Sequence, residues 1–336
     1  MISAIPGLDP DRYARHRLHA SERNWPETNC YSDLWIEVLH SRGLVPEASL
    51  GFTLTQDFEG DQFTFFKVPA EDLETFYGIR VQELSIFDRP LDHIEEQLRR
   101  ERLVLIEVDG FHLPDTQGVS YRQTHAKTTI GVNAVDAAAK RLDYFHNAGF
   151  FRLEGVDFEA LFGCADRPAQ ADCLPPYVEF VKFAEAAPCR DLAAKALINL
   201  RRHMARRPLA NPVRAYGERL AEHADWLGAR PPGFFHKYAF NTLRQLGANF
   251  ELLGAHLTWL REQGETGFEG AALVAAEIAR DAKMVQFLLA RAVARRNFAA
   301  LDAPLSGIAD SWERLMEAIE LRLARGATRK VARRAA

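Results

Sequence analysis

The sequence predicts an α+β architecture in two parts, a domain made of a helix and an antiparallel sheet followed by an all-α helical bundle. Three observations predict it. Between residues 102 and 153, short apolar runs alternate with turn residues at spacings that suit strands. From about Pro175 onward, apolar residues recur with a helical period, interrupted at Pro208, Pro231-Pro232, Gly264 and Pro304. Residues 1–165 carry 16 Lys and Arg against 27 Asp and Glu, a net of −11, whereas the remainder carries 26 against 19, a net of +7. A chain of 336 residues, 47% hydrophobic, is long enough for two cores. The expected boundaries are 1–165 for the mixed domain, 166–326 for the helical domain and 327–336 for a disordered basic tail.

Taken in order, residues 1–25 form an irregular lead-in whose Arg12, Arg15, Arg17 and Arg23 interleave with His16 and His19, the pattern of a solvated basic surface. The run Cys30-Tyr31-Ser32-Asp33-Leu34-Trp35-Ile36-Glu37-Val38-Leu39 then has helical periodicity, and Gly43 suits its left-handed cap. Residues 62–68, rich in aromatics and bounded by Gly60-Asp61 and Pro69, read as a strand. Residues 70–78 and 88–100 read as helices, the second with Leu91, Ile94 and Leu98 on one face. Strands are expected at 102–109, 123–132, 139–145 and 150–153, antiparallel because their connections are short. A short helix follows over 155–162, capped by Asp157. Beyond Pro175 no strand is expected, only helices at 177–206, 212–227, 233–262, 268–300 and 306–325.

Composition narrows the function classes. No run of eighteen apolar residues exists, and the N-terminal stretch lacks the basic and apolar regions of a signal peptide, so a cytoplasmic protein without a membrane span is expected. Cys30, Cys164, Cys173 and Cys189 have no CxxC spacing, which speaks against a zinc site and for reduced thiols. The last three read as packing residues.

Cys30 is the first candidate for chemistry. A thiol in the first turn of a helix faces unpaired backbone N–H groups and the positive end of the dipole, which favour the nucleophilic thiolate. His125 opens an expected strand and Asp143 lies eighteen residues later on the next, so base and orienting carboxylate follow in order. Asp109 and His112 read as turn and loop residues with a secondary part in lining an acyl site. A metal held by Asp109, His112 and His125 is a weaker alternative, since no compact ligand motif is present.

The order of helix-borne Cys, strand-borne His and Asp resembles that of papain-like cysteine enzymes. The run Val108-Asp109-Gly110-Phe111-His112-Leu113-Pro114, with Tyr121, His125 and Leu142-Asp143, resembles the N-terminal domain of butirosin biosynthesis protein H over residues 20–165. The whole chain resembles a bacterial family that joins such a domain to a helical one. The resemblance implies a papain-like fold and an aminoacyl transferase. It would take an aminoacyl group from the phosphopantetheine thioester of a carrier protein through an acyl-cysteine and pass it to an amine. By position it gives Cys30 as nucleophile, His125 as base, Asp143 as the orienting residue and Tyr121 among the substrate-lining ones. Relatives with this fold place a glutamine before the cysteine to line the oxyanion hole; here Asn24 and Asn29 are the nearest candidates.

No cofactor is expected on this chain itself, the phosphopantetheine belonging to the partner. Arg201, Arg202, Arg206 and Arg207, with a second cluster at 291–296, could form a landing surface for an acidic carrier. An aminoacyl-activating ligase is a further expected partner, and the acceptor is a small-molecule or protein amine. His236, Trp259 and Phe234-Phe235 read as packing residues. Two alternatives stand beside the transferase: a cysteine peptidase or amidase of the same fold, and a non-catalytic carrier-binding adaptor. Nucleic-acid binding is weakest, because no recognition motif accompanies the basic clusters.

Overall fold

The computed structural model describes residues 1–163, 175–184, 191–231 and 233–334, and the chain divides into two units that are not collinear with the sequence. The first comprises Met1–Ala20, Asn29–Pro46 and Pro69–Cys189; the second comprises Ser21–Thr28, Glu47–Val68 and Arg190–Ala336. Among the described residues, no helix is long and apolar enough to cross a membrane.

The first unit contains β1 (Ile2–Ser3), α1 (Cys30–Ser41), α2 (Ala70–Tyr77), β2 (Arg80–Glu83), α3 (Pro90–Arg99), β3 (Leu103–Asp109), β4 (Lys127–Asp136), β5 (Arg141–His146), β6 (Gly149–Glu154), α4 (Gly155–Gly163) and β7 (Val178–Lys182). One antiparallel sheet in the order β2-β7-β3-β4-β5-β6 forms its centre, with β1 paired to the end of β4. The four strands expected between residues 102 and 153 are present as β3 to β6, and short hairpin connections do make β4, β5 and β6 neighbours. Three strands escape the sequence reading, β1, β2 and β7. The pattern Val178-Glu179-Phe180-Val181-Lys182 forms a strand where a helix was expected, inserted between β2 and β3 with Val181 opposite both Val81 and Leu103.

Local chemistry sets the helix limits. Asn29 caps α1, its side-chain oxygen accepting the Ser32 amide at 2.9 Å, so Cys30 is the first helical residue. Gly43, at φ +68°, turns the chain away after the helix. The expected helices at 70–78 and 88–100 are α2 and α3, and Leu91, Ile94 and Leu98 are buried. Asp157 does not cap α4: its carboxylate accepts from Tyr121 at 2.9 Å and from Arg122.

How α1 lies on the sheet follows from its contacts. Gly131 on β4 lets the helix approach, since a Cβ there would meet Leu34 Cδ1 at 3.3 Å. Tyr31, near the start, donates to Glu179, which is opposite Leu105; Arg42, at the end, stacks over Phe183, just beyond the Val181–Leu103 pair. The helix therefore runs opposite to β3, with Cys30 toward the end of that strand where Asp109 stands.

A buried charge cluster fixes α1 from behind. His19 contacts Glu37 through Nδ1 and Asp33 through Nε2 at 3.3 Å, with all three side chains about 1% exposed or less. Glu37 also accepts from Tyr13 at 2.6 Å and from the His16 amide at 3.0 Å. Burial alone would lower the His19 pKa, but hydrogen bonds and charge from Asp33 and Glu37 raise it to about 9. Burial works to raise the Glu37 carboxyl; His19 and Tyr13 outweigh it and hold the carboxyl down.

The second unit contains α5 (Leu192–Met204), α6 (Pro212–Glu222), α7 (Ala224–Gly228), α8 (Phe234–Asn241), α9 (Leu243–Glu262), α10 (Glu269–Arg295) and α11 (Asp302–Arg334). Helices α9, α10 and α11 pack in succession, and α6 lies against α11. Pro304, expected as a break, instead sits in the first turn of α11, where a missing N–H costs nothing. The expected disorder of 327–336 falls on a stretch of α11 and on Ala335 and Ala336, whose side chains lie outside the described residues.

Segment 21–28 joins this unit through Trp25. Its indole N–H donates to the Ala279 carbonyl at 2.9 Å, Lys283 lies 4.1 Å over its ring, and Glu251 accepts the Asn24 and Trp25 amides. The stretch 62–68 is not a strand. It makes an isolated bridge from Phe63 to Phe58, and these two rings pack against Tyr216 on α6, while Phe65 is exposed.

Two stability predictions follow from this packing. His19→Asn leaves two carboxylates buried and should cost about 3–5 kcal/mol in urea unfolding. Because the His19 pKa is raised, its contribution is complete below the unfolded value of about 6.5 and is lost as pH rises through about 9; the Glu37 contribution is lost as pH falls below its unfolded range. Wild-type urea midpoints should decline from pH 6.5 to pH 9, and those of His19→Asn should not. Gly247→Ala places a Cβ 2.4 Å from Trp25 Nε1 and should lower stability by about 1–3 kcal/mol, read in the same titration.

Candidate functional site

At the Cys30 end of the sheet, polar side chains replace apolar ones on the face that α1 covers. Strand pleating puts Leu103, Leu105, Glu107 and Asp109 of β3 on that face, beside Lys127, Thr129 and Gly131 of β4. Glu107 pairs with Lys127 at 2.6 Å. Asp109 pairs with His125, Nδ1 to Oδ2, at 2.5 Å.

His125 lies two residues before β4, on the segment 110–126 that returns from the end of β3 to the start of β4. That segment is held by its own side chains. Thr116 and Ser120 donate to the Gly110 carbonyl at 3.0 and 3.3 Å, and a Cβ on Gly110 would meet Ser120 Oγ at 2.9 Å. Arg122, in the left-handed region at φ +55°, donates its amide to Phe111 at 3.0 Å and lays its guanidinium over the rings of Phe111 and Tyr121. Phe111 in turn stacks on His125, with centroids 4.6 Å apart and planes 16° apart. The imidazole is thus 76% exposed, yet its plane is fixed by a ring and its Nδ1 by a carboxylate.

Asp109 anchors both ends of the segment. One oxygen accepts the Phe111 amide at 3.0 Å and the Ala126 amide at 3.1 Å while the other meets His125. Partial burial works to raise this carboxyl, and the three hydrogen bonds outweigh it, so it titrates below the usual carboxylate range. With Nδ1–H donated to Asp109, the second nitrogen, Nε2, is left to exchange a proton with a substrate.

Asp143 does not take the expected orienting part. It lies on β5 opposite Ala134, seven residues along β4 from Lys127, which is roughly 23 Å at the rise of a strand. Its side chain, 2% exposed, is bound by Arg152 at 2.9 Å and approached by Arg141 at 3.5 Å. The carboxylate that orients His125 is Asp109, which the sequence reading placed only in the lining.

The remaining candidates divide as follows. Asn29 is committed to capping α1. Asn24 belongs to the second unit, with its amide on Glu251, so the site described here is built without it. Tyr121 donates to Asp157 at 2.9 Å. His112 meets the edge of Phe111, and its buried Nδ1 has no hydrogen-bond partner among the described residues. Among the described residues no group of three His, Cys, Asp or Glu side chains is placed to hold a metal. Arg201 and Arg202 ride on the last turn of α5 and Arg206 follows it; Arg207 pairs with Glu320 at 3.0 Å, all within the second unit. Cys164, Cys173 and Cys189 lie outside the described residues. Cys30 is half-buried and in no disulfide among the described residues, where no hydrogen bond joins it to His125.

The two aspartates separate in one experiment. Asp143→Asn should lower stability by about 3 kcal/mol, as for one partner removed from a buried pair, and leave Cys30 alkylation by iodoacetamide unchanged. Asp109→Asn should keep most of the stability and alter the alkylation rate and its pH profile.

Comparison with known families covers nearly the whole chain. The family model of the DUF1839 N-terminal domain matches residues 14–183, and that of the DUF1839 C-terminal domain matches residues 189–330. No curated protein matches the chain.

Proposed function

The chain belongs to the DUF1839 family, and we propose that its first unit is a cysteine-dependent acyltransferase that uses Cys30, His125 and Asp109. The observation that carries the reading is the Asp109–His125 pair, held by ring and carboxylate at the end of the sheet toward which the Cys30 end of α1 points. The papain-like resemblance and the likeness to butirosin biosynthesis protein H support the choice of an acyl carrier thioester as donor.

The chemistry runs in two balanced halves. Cys30 gives its proton to His125 Nε2, and Sγ attacks the thioester carbonyl. The tetrahedral oxyanion faces backbone N–H groups of the first turn of α1, each such donor being worth about 3 kcal/mol of barrier. Collapse breaks the bond to the pantetheine sulfur, which leaves with the proton from His125 and yields acyl-Cys30. An amine then attacks that carbonyl and passes a proton to His125. The new amide is released, and the Cys30 sulfur takes the proton back. Asp109 keeps the imidazole in the tautomer that both halves require. Water in place of the amine gives the amidase or peptidase variant with the same residues.

A second reading has its own observation. Thiol and imidazole share no hydrogen bond in the free protein, which suits a domain that binds an aminoacyl carrier without transferring its cargo; the basic residues Arg201, Arg202, Arg206 and Arg207 belong to either reading as a carrier contact.

Intact mass after incubation with aminoacyl-pantetheine thioesters separates the two. Transfer predicts a gain of one acyl group, absent from Cys30→Ala and formed about 10²–10⁴ times more slowly in His125→Ala. Carrier binding with no adduct and no accelerated thioester loss would establish the adaptor instead.

A further inference from the structure

Tyr31, the residue next to Cys30, does not point to solvent. Its hydroxyl donates to Glu179 Oε2 at 3.0 Å, and Tyr177 donates to Oε1 of the same carboxylate at 2.8 Å. Glu179 is opposite Leu105 on β3 and Glu83 on β2, so its side chain rises on the face that α1 covers, one residue and one tyrosine side chain from the thiol. It is 9% exposed. Burial, together with this carboxylate, pushes both phenols well above their ordinary range, so they remain donors throughout the physiological range.

The unusual feature is the missing counter-charge. A buried carboxylate is ordinarily paired with a cation, because desolvating the charge is costly and neutral donors offset only part of that cost. Among the described residues no Lys, Arg or His side chain pairs with Glu179, and the nearby Lys127 is already held by Glu107. Two phenols would hold an amide oxygen equally well, so the hydrogen bonds alone do not require a charge here.

We infer that Glu179 is a specificity-determining residue that receives the ammonium group of the acyl donor, the substrate supplying the cation that the fold omits. This deepens the proposed function and rests on its placing of the acyl donor at the Cys30 end of α1. A carboxylate fixed on both oxygens cannot swing away, so the ammonium must come to it, and the carbonyl is thereby aligned relative to the first turn of α1. A neutral acyl group of the same length leaves the charge uncompensated.

The test uses the full chain and two isosteric pairs of pantetheine thioesters, alanyl against propionyl and 6-aminohexanoyl against hexanoyl. Wild type should form acyl-Cys30 faster by about tenfold or more with the ammonium-bearing member of at least one pair, the size of a hydrogen bond to a charged group. Glu179→Gln, with its fold checked by circular dichroism, should abolish that preference and leave the neutral acyl groups within about threefold of wild type, because only the charge has gone. In parallel, calorimetry with amide analogues of the same compounds on Cys30→Ala reads recognition without chemistry. Adducts with no ammonium preference, or a preference retained in Glu179→Gln, would overturn this inference while the acyl-cysteine reading stands. No adduct from any donor, with Glu179-dependent binding of the cationic analogues, would keep the inference and overturn the reading. Failure of both arms would overturn both.

Discussion

The imidazole of His19, enclosed by Asp33 and Glu37, is the contact on which the geometry of the first unit depends. A helix lying on a sheet through apolar contacts alone can slide and rotate by small amounts, since dispersion is non-directional. Here two carboxylates one turn apart on α1 are pinned to one ring, and Glu37 also takes the Tyr13 hydroxyl and the His16 amide. Leu34 then settles over Gly131, where the missing side chain lets helix and strand approach. With axis and rotation both set, the first turn of α1, and Cys30 with it, has one position along the sheet.

The opposite partner is placed by different means. His125 is on an irregular segment, and its location is set by Asp109 at the root and by the stack of Phe111 and Arg122 along its side. A single aspartate that accepts both the second amide of the loop and the amide after His125 closes the segment like a clasp. Rigidity therefore comes from Asp109 on one side of the site and from His19 on the other. Only the Cys30 side uses regular structure, the first turn of α1, to carry its candidate group.

What was legible in the sequence follows the range of the forces involved. The helical run from Cys30, Gly43 as its stop, and the hairpin run from β4 to β6 are decided by neighbours a few residues apart, and all were readable. The strand β7 was not, because what makes it a strand is pairing with residues 103–106 far upstream, and five residues after two prolines carry too short a pattern to declare it. Residues 62–68 failed in the opposite direction: an aromatic run that looks like a strand instead contributes Phe63 to a cluster with Phe58 and with Tyr216 on a helix. Asp143 was chosen for its place on the neighbouring strand, but register puts it beside Ala134 and Arg152, whereas the partner of His125 is the residue at which the loop departs. Adjacency of strands is local information. Position along a strand is not.

The other face of the sheet shows why composition of a triad is insufficient to define a reactive one. Thr128 Oγ1 meets His146 Nε2 at 2.7 Å, and His146 Nδ1 meets Asp115 at 2.5 Å, the atom sequence of a hydroxyl, imidazole and carboxylate relay. Asp115 also accepts from Tyr144, whose hydroxyl lies in the core. His146 is 1% exposed, and the hydroxyl is on a central strand rather than at a helix start, so no set of unpaired amides faces it. There the relay ties the middle of segment 110–126 to β4 and β5. On the α1 face the order of burial is reversed, with an exposed imidazole on a fixed carboxylate and the thiol at the amide-rich end of a helix. Exposure of the base and a helix start at the nucleophile, more than the identity of the three groups, are the features that the proposed acyl transfer needs, and in the first unit only the Cys30 face combines them among the described residues.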